Sequence, residues 1–231
     1  MASVSIFVTC LVDQLYPQVG LAMADVLEGL GYEIDFPEGQ TCCGQPAFNS
    51  GFREEAAEVA RHFCKVFADS EYVVVPSGSC TSMITHHFEQ IINGRLKPKV
   101  YEFTQFLLDV AKVEDVGARW DGAVTYHDSC HALRELKIKQ GPRKLLSHVK
   151  GLELREMEIP EECCGFGGTF SVKFEHVSMA MGKTKVDAIQ KTGADTVVSI
   201  DASCLMQLAS ALQIANVPVK TKHLAEILAS R

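Results

Sequence analysis

The sequence has none of the features that identify a nucleic-acid-binding, secreted or membrane-spanning protein. Its 22 basic residues are outnumbered by 29 acidic ones, for a net charge of -7, and no basic run is clustered to follow a phosphate backbone. No apolar stretch approaches the roughly 18 residues of a transmembrane helix. Residues 1–12 have neither a basic region nor a small-residue cleavage site, so they are predicted to form a first strand and not a signal peptide. We therefore expect a cytoplasmic protein with no nucleic-acid partner and no membrane span.

Several short motifs of nucleotide-binding, zinc-binding and electron-transfer proteins are also missing, which reduces the number of functions to consider. There is no Walker motif, and the glycines in residues 165–168 lack the full GxGxxG spacing of a dinucleotide site. The CxxC knuckles common in zinc sites are absent. The closely spaced cysteine run of ferredoxins is absent too, so a partner would have to carry electrons away from any redox centre in this chain.

What the sequence does have is a repeated pattern of cysteines. Eight of its nine cysteines form two sets, each with a single cysteine, an adjacent pair followed by glycine, and a last single cysteine. The first set is Cys10, Cys42, Cys43 and Cys80, and the second is Cys130, Cys163, Cys164 and Cys204. Corresponding members are separated by 120, 121, 121 and 124 residues, which indicates a tandem duplication. Four thiols per half is the ligand count of a metal or iron-sulfur site. Cys64 has no counterpart and occupies an apolar helical position, which predicts a core residue.

The alternation of short β-branched runs with amphipathic stretches predicts an α/β fold of two tandem duplicated units. Each unit is expected to be a short parallel sheet flanked by helices, with the two units, residues 1–112 and 121–231, closely packed. The predicted strands are 4–9, 33–36, 72–75, 99–101, 123–127, 152–157, 196–200 and 219–221. The predicted helices are 17–30, 54–68, 81–92, 104–111, 142–149, 176–191, 205–215 and 224–229. The cysteines of each set follow successive strands, and because the carboxyl ends of parallel strands share one edge, four thiols per half should converge there.

The adjacent cysteines favour a multi-iron cluster over a single ion, because neighbouring thiolates can each bind a different iron. The glycine after each pair lets the backbone approach and direct N–H groups at sulfur. Cys80 and Cys204 are predicted to open helices, where the helix dipole favours the thiolate form. A zinc site, buried structural cysteines, disulfides and thiol-disulfide exchange remain as alternatives.

Five segments carry a resemblance to a known family. They are residues 7–13 (FVTCLVD), 40–51 (QTCCGQPAFNSG), 76–83 (PSGSCTSM), 125–136 (TYHDSCHALREL) and 162–173 (ECCGFGGTFSVK). The chain resembles the iron-sulfur oxidoreductases with the cysteine-rich CCG domain, above all the lactate utilisation protein A family. More distantly it resembles the CCG-domain subunit of heterodisulfide reductase and the iron-sulfur subunit of glycolate oxidase.

The resemblance implies an iron-sulfur redox subunit of a complex that oxidises L-lactate to pyruvate. Such a subunit would be an oxidoreductase component that is active only with its partners, a ferredoxin-type iron-sulfur protein and a third subunit. Each set of four cysteines would bind one site, so that the chain holds one or two clusters. Heterodisulfide reductase has a fifth cysteine three positions after the last, where this chain has Met83 and Gln207. A four-thiolate [4Fe-4S] cluster is therefore the expected cofactor. A heterodisulfide-reductase-like thiol/disulfide enzyme subunit and a zinc-stapled assembly subunit without redox activity are the alternatives.

Polar residues around Cys130 are the candidates for catalysis. His127, Asp128 and His131 would lie at a strand end beside the cluster, which makes them candidates for proton transfer. The alternative is that His127 and Asp128 brace the loop by hydrogen bonds. Arg134 and Lys137 are candidates to receive a lactate carboxylate, although such residues more often form a solvated helix face.

Overall fold

The computed structural model describes residues 3–231, which form two four-stranded sheets in which every strand pair is parallel. The first sheet has the order β2-β1-β3-β4 and the second β6-β5-β7-β8. The strands of the two sheets are β1 (Ser3–Ile6), β2 (Glu33–Asp35), β3 (Tyr72–Val75), β4 (Lys99–Glu102), β5 (Arg119–Tyr126), β6 (Lys150–Leu154), β7 (Thr196–Ser199) and β8 (Lys220–His223). The predicted α/β class with two duplicated units is confirmed.

The helices connect and cover the strands. They are α1 (Cys10–Leu15), α2 (Pro17–Gly29), α3 (Gln45–Asn49), α4 (Arg53–Val66), α5 (Gly78–Ile92), α6 (Phe103–Gln105), α7 (Cys130–Arg134), α8 (Gln140–Ser147), α9 (Phe170–Lys173), α10 (Glu175–Thr192), α11 (Ala202–Ile214) and α12 (Leu224–Leu228). A π-helical turn, Phe106–Val110, follows α6 directly.

The central strands alternate their side chains between two layers of core. In β3, Val74 faces a central cluster, whereas Val73 and Val75 face an outer cluster formed with α4 and α5. In β7, Val198 faces the central cluster and Val197 the outer cluster formed with α10 and α11. Strands covered on both faces need apolar side chains on both, and for this reason they read as continuous β-branched runs.

The two units share their central core. Helix α2 of the first unit packs against α12 of the second, and α8 of the second packs against α6 of the first. Buried side chains of both units form this one hydrophobic cluster, as the prediction of close packing requires. The unit boundaries at residues 112 and 121 stay a prediction, and β5 begins at Arg119.

A local two-fold relation joins the units at the ends of their central strands. Ser77 and Asp201 form an antiparallel bridge with each other. Each is the N-cap residue of its own helix, α5 and α11, and the two are 124 residues apart, the same separation as Cys80 and Cys204. Equivalent residues of the two units therefore meet at this point. Within residues 3–231, no helix combines the length and the apolar character that crossing a bilayer requires.

Candidate metal centre

All eight cysteines of the two sets line a single cavity of about 310 Å³. The first unit contributes four of them, and the second unit contributes the other four, across the junction of Ser77 with Asp201. Both sets therefore face the same space, whereas the sequence predicted only that each set converges. Cys64 lies outside this cavity, half-buried on α4 and absent from the hydrophobic clusters, so it is not the core residue expected from its position.

The first turns of four helices hold half of these cysteines. Cys10 and Cys130 are the first residues of α1 and α7. Cys80 and Cys204 lie in the first turns of α5 and α11, which confirms that both open helices. The Ser77 hydroxyl accepts a hydrogen bond from the Cys80 N–H at 3.2 Å and caps α5. Unpaired N–H groups at helix starts favour negative charge, so these positions suit thiolates.

The adjacent cysteines sit in tight turns that point backbone N–H groups at sulfur. The Gly44 N–H donates to Cys42 Sγ at 3.3 Å, and the Gly165 N–H donates to Cys163 Sγ at 3.4 Å. Both glycines have left-handed backbones, with φ of 77° and 92°. A Cβ on Gly165 would also lie 2.7 Å from the Ser178 carbonyl oxygen, so only glycine fits there without displacement.

The sulfur atoms within each set are close enough to share protons. In the first set, Cys10 Sγ is 3.7 Å from Cys42 Sγ, and Cys43 Sγ is 3.2 Å from Cys80 Sγ. Hydrogen bonds from Cys10 and Cys43 lower the pKa of Cys42 to about 3. In the second set, hydrogen bonds from Cys130 and Cys164 lower the pKa of Cys163 to about 2.

The thiols that donate these hydrogen bonds show the opposite effect. The pKa of Cys10 is raised above its ordinary value, first by its hydrogen bond to Cys42, and that of Cys130 is raised in the same way by Cys163. One thiolate per set therefore forms readily, and further ionisation is opposed by the charge already present. A bound cation removes this conflict, because it releases the protons and binds all the thiolates at once. The clustered cysteines thus suit a metal ion or an iron-sulfur cluster.

His127 is fully buried directly after β5, and neither ring nitrogen has a hydrogen-bond partner. The side chain of His127 therefore does not brace the loop by hydrogen bonds; its backbone does, through the N–H to Val198 O at 2.8 Å and the carbonyl that accepts from the Ser199 hydroxyl at 3.0 Å. Burial, with a further contribution from Lys185, lowers the pKa of His127 to about 3. The imidazole is neutral, the form in which histidine binds metals.

The other polar candidates are divided between structural and exposed positions. Asp128 is 1% exposed and forms two 2.9 Å hydrogen bonds with the Arg143 guanidinium, so it braces the loop as the alternative proposed. His131 lines the cavity, with Nδ1 3.6 Å from Cys130 Sγ. Arg134 and Lys137 are exposed and do not line the cavity, as expected for a solvated helix face.

Comparison with known proteins identifies the family. The cysteine-rich domain family matches residues 4–85 and 124–209, the two segments that contain the cysteine sets. Lactate utilization protein A of Geobacillus kaustophilus (strain HTA426) is 47% identical over 237 residues, covering 99% of this chain and 99% of that protein. The protein of the same name from Bacillus cereus (strain G9842) is also 47% identical over 237 residues, with 99% of both chains covered. The chain belongs to the lactate utilization protein A family.

A solved structure supports the fold of this family member. The crystal structure of a hypothetical protein from Helicobacter pylori superposes with a TM-score of 0.71 at 10% sequence identity and covers 99% of this chain. The chain spans about half of that protein, 49% of its length. At this identity the likeness concerns the fold alone.

Sequence reasoning missed a buried carboxylate in the wall of this family member's cavity. Asp201 is 1% exposed, and its Oδ2 accepts hydrogen bonds from the Ser79 N–H at 2.8 Å and the Ser129 hydroxyl at 3.3 Å. Its Oδ1 accepts from the Ser203 N–H at 3.2 Å and the Ser203 hydroxyl at 2.6 Å. Each of these three serines directly precedes a cavity cysteine. The N-cap signal of an aspartate before α11 could have revealed the contact with Ser203, but not the two that come from other elements.

A buried lysine was missed as well. Lys185 of α10 is fully buried, and its Nζ donates to the carbonyl oxygens of Ile159 at 2.7 Å and Pro160 at 3.2 Å, in the loop that leads to Cys163. Burial lowers the pKa of Lys185 to about 8. A lysine in an amphipathic helix is ordinarily exposed, so the sequence contains no signal for this role.

Proposed function

We propose that this chain is an iron-sulfur redox subunit of a multi-subunit complex that oxidises L-lactate to pyruvate. The observation that carries the proposal is the convergence of eight cysteines on one cavity. The relatives at 47% identity over nearly their whole length are named lactate utilization proteins, which supports the choice of substrate. The complex would be cytoplasmic.

Each set of four cysteines would hold one [4Fe-4S] cluster. Cys10, Cys42, Cys43 and Cys80 would bind the first, and Cys130, Cys163, Cys164 and Cys204 the second. Clusters of this type supply one-electron redox chemistry, so a pair matches the two electrons that lactate loses on becoming pyruvate. The chain itself supplies thiolates and backbone N–H groups directed at sulfur. A ferredoxin-type partner would accept the electrons, and a further subunit would complete the complex.

A heterodisulfide-reductase-like activity has less support. Such a site uses a fifth cysteine, and the two positions are taken by residues with other roles. Met83 is 1% exposed and packs in the outer cluster of the first unit. Gln207 donates a hydrogen bond to the Ser178 hydroxyl at 3.0 Å.

The test is anaerobic reconstitution with iron and sulfide, followed by spectroscopy and iron analysis. The wild type should absorb near ~400 nm and bleach with dithionite. Cys43→Ser and Cys164→Ser should each lose about half of the bound iron, because each disables one of two equivalent thiolate sets. Cys64→Ser is the matched control, and it should keep all of it.

Three results would contradict parts of this proposal. Colourless protein with stoichiometric zinc would exclude the redox role and support a stapled assembly subunit. Iron loss in only one of the two cavity variants would restrict the proposal to a single cluster. Oxidation of glycolate but not L-lactate by the complex assembled with its partner subunits would change the substrate.

A further inference from the structure

The second unit has a buried donor group beside its cysteines that the first unit lacks. The His127 imidazole, Cys164 Sγ and Cys204 Sγ offer one ligand atom each, and these atoms all lie within 4.8 Å of one another. All three residues are buried. Within residues 3–231, this is the one group of three or more histidine, cysteine or acidic side chains with such spacing.

No protein group satisfies the imidazole. Both of its nitrogens are buried without a hydrogen-bond partner, although buried polar atoms are nearly always paired. The nearby cation Lys185 is committed to the carbonyl oxygens of Ile159 and Pro160. His127 is not in the cavity lining, but one of its ring nitrogens lies within 4.8 Å of Cys164 Sγ and Cys204 Sγ, which indicates that a group shared with these thiols belongs beside the ring.

The backbone holds this ring in place. The His127 N–H donates to Val198 O at 2.8 Å, and the Ser199 hydroxyl donates to His127 O at 3.0 Å. Both partners belong to β7, the strand that leads into the helix of Cys204. The imidazole and the Cys204 thiol are therefore positioned by the same strand, without a flexible connection between them.

The first unit places an inert side chain at the equivalent position. Phe7 precedes His127 by 120 residues, and its N–H donates to Val74 O at 3.0 Å in the same strand pairing. The ring packs edge-on against Phe63 at 5.2 Å and Phe67 at 5.7 Å between centroids. The fold thus needs only a buried aromatic ring here, so the nitrogens of His127 are not required for packing.

We infer that His127 is a metal ligand, binding an iron of the second cysteine set through a ring nitrogen. The second site would then have five donors, its four thiolates and one imidazole, so that one iron would carry two protein ligands, whereas the first site has four thiolates alone. The inference rests on the proposed function, since it assumes an iron-sulfur cluster in the second set. Imidazole is an established ligand of iron in iron-sulfur proteins, as in Rieske [2Fe-2S] centres, where two histidines take the place of two cysteines on one iron.

The experiment is pulsed EPR on the dithionite-reduced, reconstituted full-length protein, prepared with ¹⁴N-histidine and with ¹⁵N-histidine. We expect a strong nitrogen coupling from directly bound imidazole that changes on ¹⁵N labelling. His127→Phe should abolish it, and this variant should fold because phenylalanine occupies the matching position at Phe7. His131→Phe is the control, since its ring also lies beside a cavity cysteine, and the coupling should persist in it.

The outcomes separate this inference from the proposed function. Wild-type protein with bound iron and a bleachable ~400 nm band but no histidine coupling would overturn the ligand role of His127 and leave the iron-sulfur function standing. Coupling that survives in His127→Phe and disappears in His131→Phe would also overturn it. Protein that takes up no iron would overturn both. If His127→Phe fails to fold, the two labelled samples of His131→Phe decide the question, because a histidine coupling that persists in them cannot come from the imidazole 3.6 Å from Cys130 Sγ.

Discussion

The substitution Asp201→Asn tests whether one buried carboxylate holds the two cysteine sets in register. Asp201 lies at the junction of the units and accepts one backbone N–H on each oxygen, from Ser79 on Oδ2 and from Ser203 on Oδ1. An asparagine side chain has only one oxygen. Whichever way the amide turns, one of these two N–H groups, that of buried Ser79 or that of half-buried Ser203, faces an NH₂ group and loses its acceptor.

The expected loss of stability follows from that geometry. A buried N–H left without an acceptor costs about 1–3 kcal/mol, and the hydrogen bonds that remain lose the strength a charged acceptor confers. We expect a total near 3 kcal/mol, which for a chain of this size lowers Tm by roughly 6–12 °C. Ser77→Ala removes the symmetry-related cap of α5 and one long hydrogen bond to Asp201 Oδ2, at 3.4 Å, but leaves both N–H groups on the carboxylate; it should cost about 1 kcal/mol, or roughly 2–4 °C.

The assay is anaerobic differential scanning calorimetry of the reconstituted protein at one fixed scan rate. Asp201→Asn should melt clearly below Ser77→Ala, and both should melt below the wild type. A Tm for Asp201→Asn equal to or above that of the wild type would refute the reasoning. It would mean that the cost of burying the charge exceeds the gain from its hydrogen bonds.

Two further predictions concern other buried charges. Burial raises the pKa of Glu102 to about 7 from an ordinary value near 4.5, so its stabilising contribution is complete below pH 4.5 and is lost as the pH rises through 7. Between pH 4 and 8, the unfolding free energy of the wild type should therefore fall by up to about 3 kcal/mol more than that of Glu102→Gln. Urea titrations at each pH measure both values, and an equal change in the two proteins would contradict the prediction. Arg143→Met leaves the Asp128 carboxylate, which is 1% exposed, without its ion-pair partner. It should lower the unfolding free energy by about 3–5 kcal/mol in the same titration. Lys183→Met, which breaks an exposed pair, should cost less than about 1 kcal/mol, and equal losses in the two variants would show that burial does not set the cost.

Much of the fold could be predicted because its signals are local. The strand β3 has the predicted bounds, and the long helices α2, α4 and α10 end within two residues of the predicted limits. The short helices α1, α3, α7 and α9 were missed, because four to six residues show only a weak periodic pattern, although α12, of five residues, was predicted as 224–229. Their stability comes from the packing around them and not from propensity.

The candidate site was predictable where it depends on repetition and unpredictable where it depends on packing. The duplicated pattern identified the eight cysteines. Because the carboxyl ends of parallel strands share one edge of a sheet, it also predicted that the four cysteines of each set lie close together. Neither Lys185 nor Asp201 could be recognised, because lysine and aspartate are ordinarily exposed and only a tertiary contact shows otherwise. For His127 the sequence offered proton handling or loop bracing, and the absence of any side-chain partner became visible only in the fold.

By itself the sequence determined the duplication, the parallel α/β layout, the family and the identity of the eight cysteines, since all of these are written in residue order and spacing. Only the tertiary structure decided that both sets open into one cavity and that a carboxylate lies at their junction. It also decided that the units differ in one buried ring, Phe7 against His127. These features depend on how two sheets pack across a shared core, and that packing is set by the contacts of residues more than a hundred positions apart.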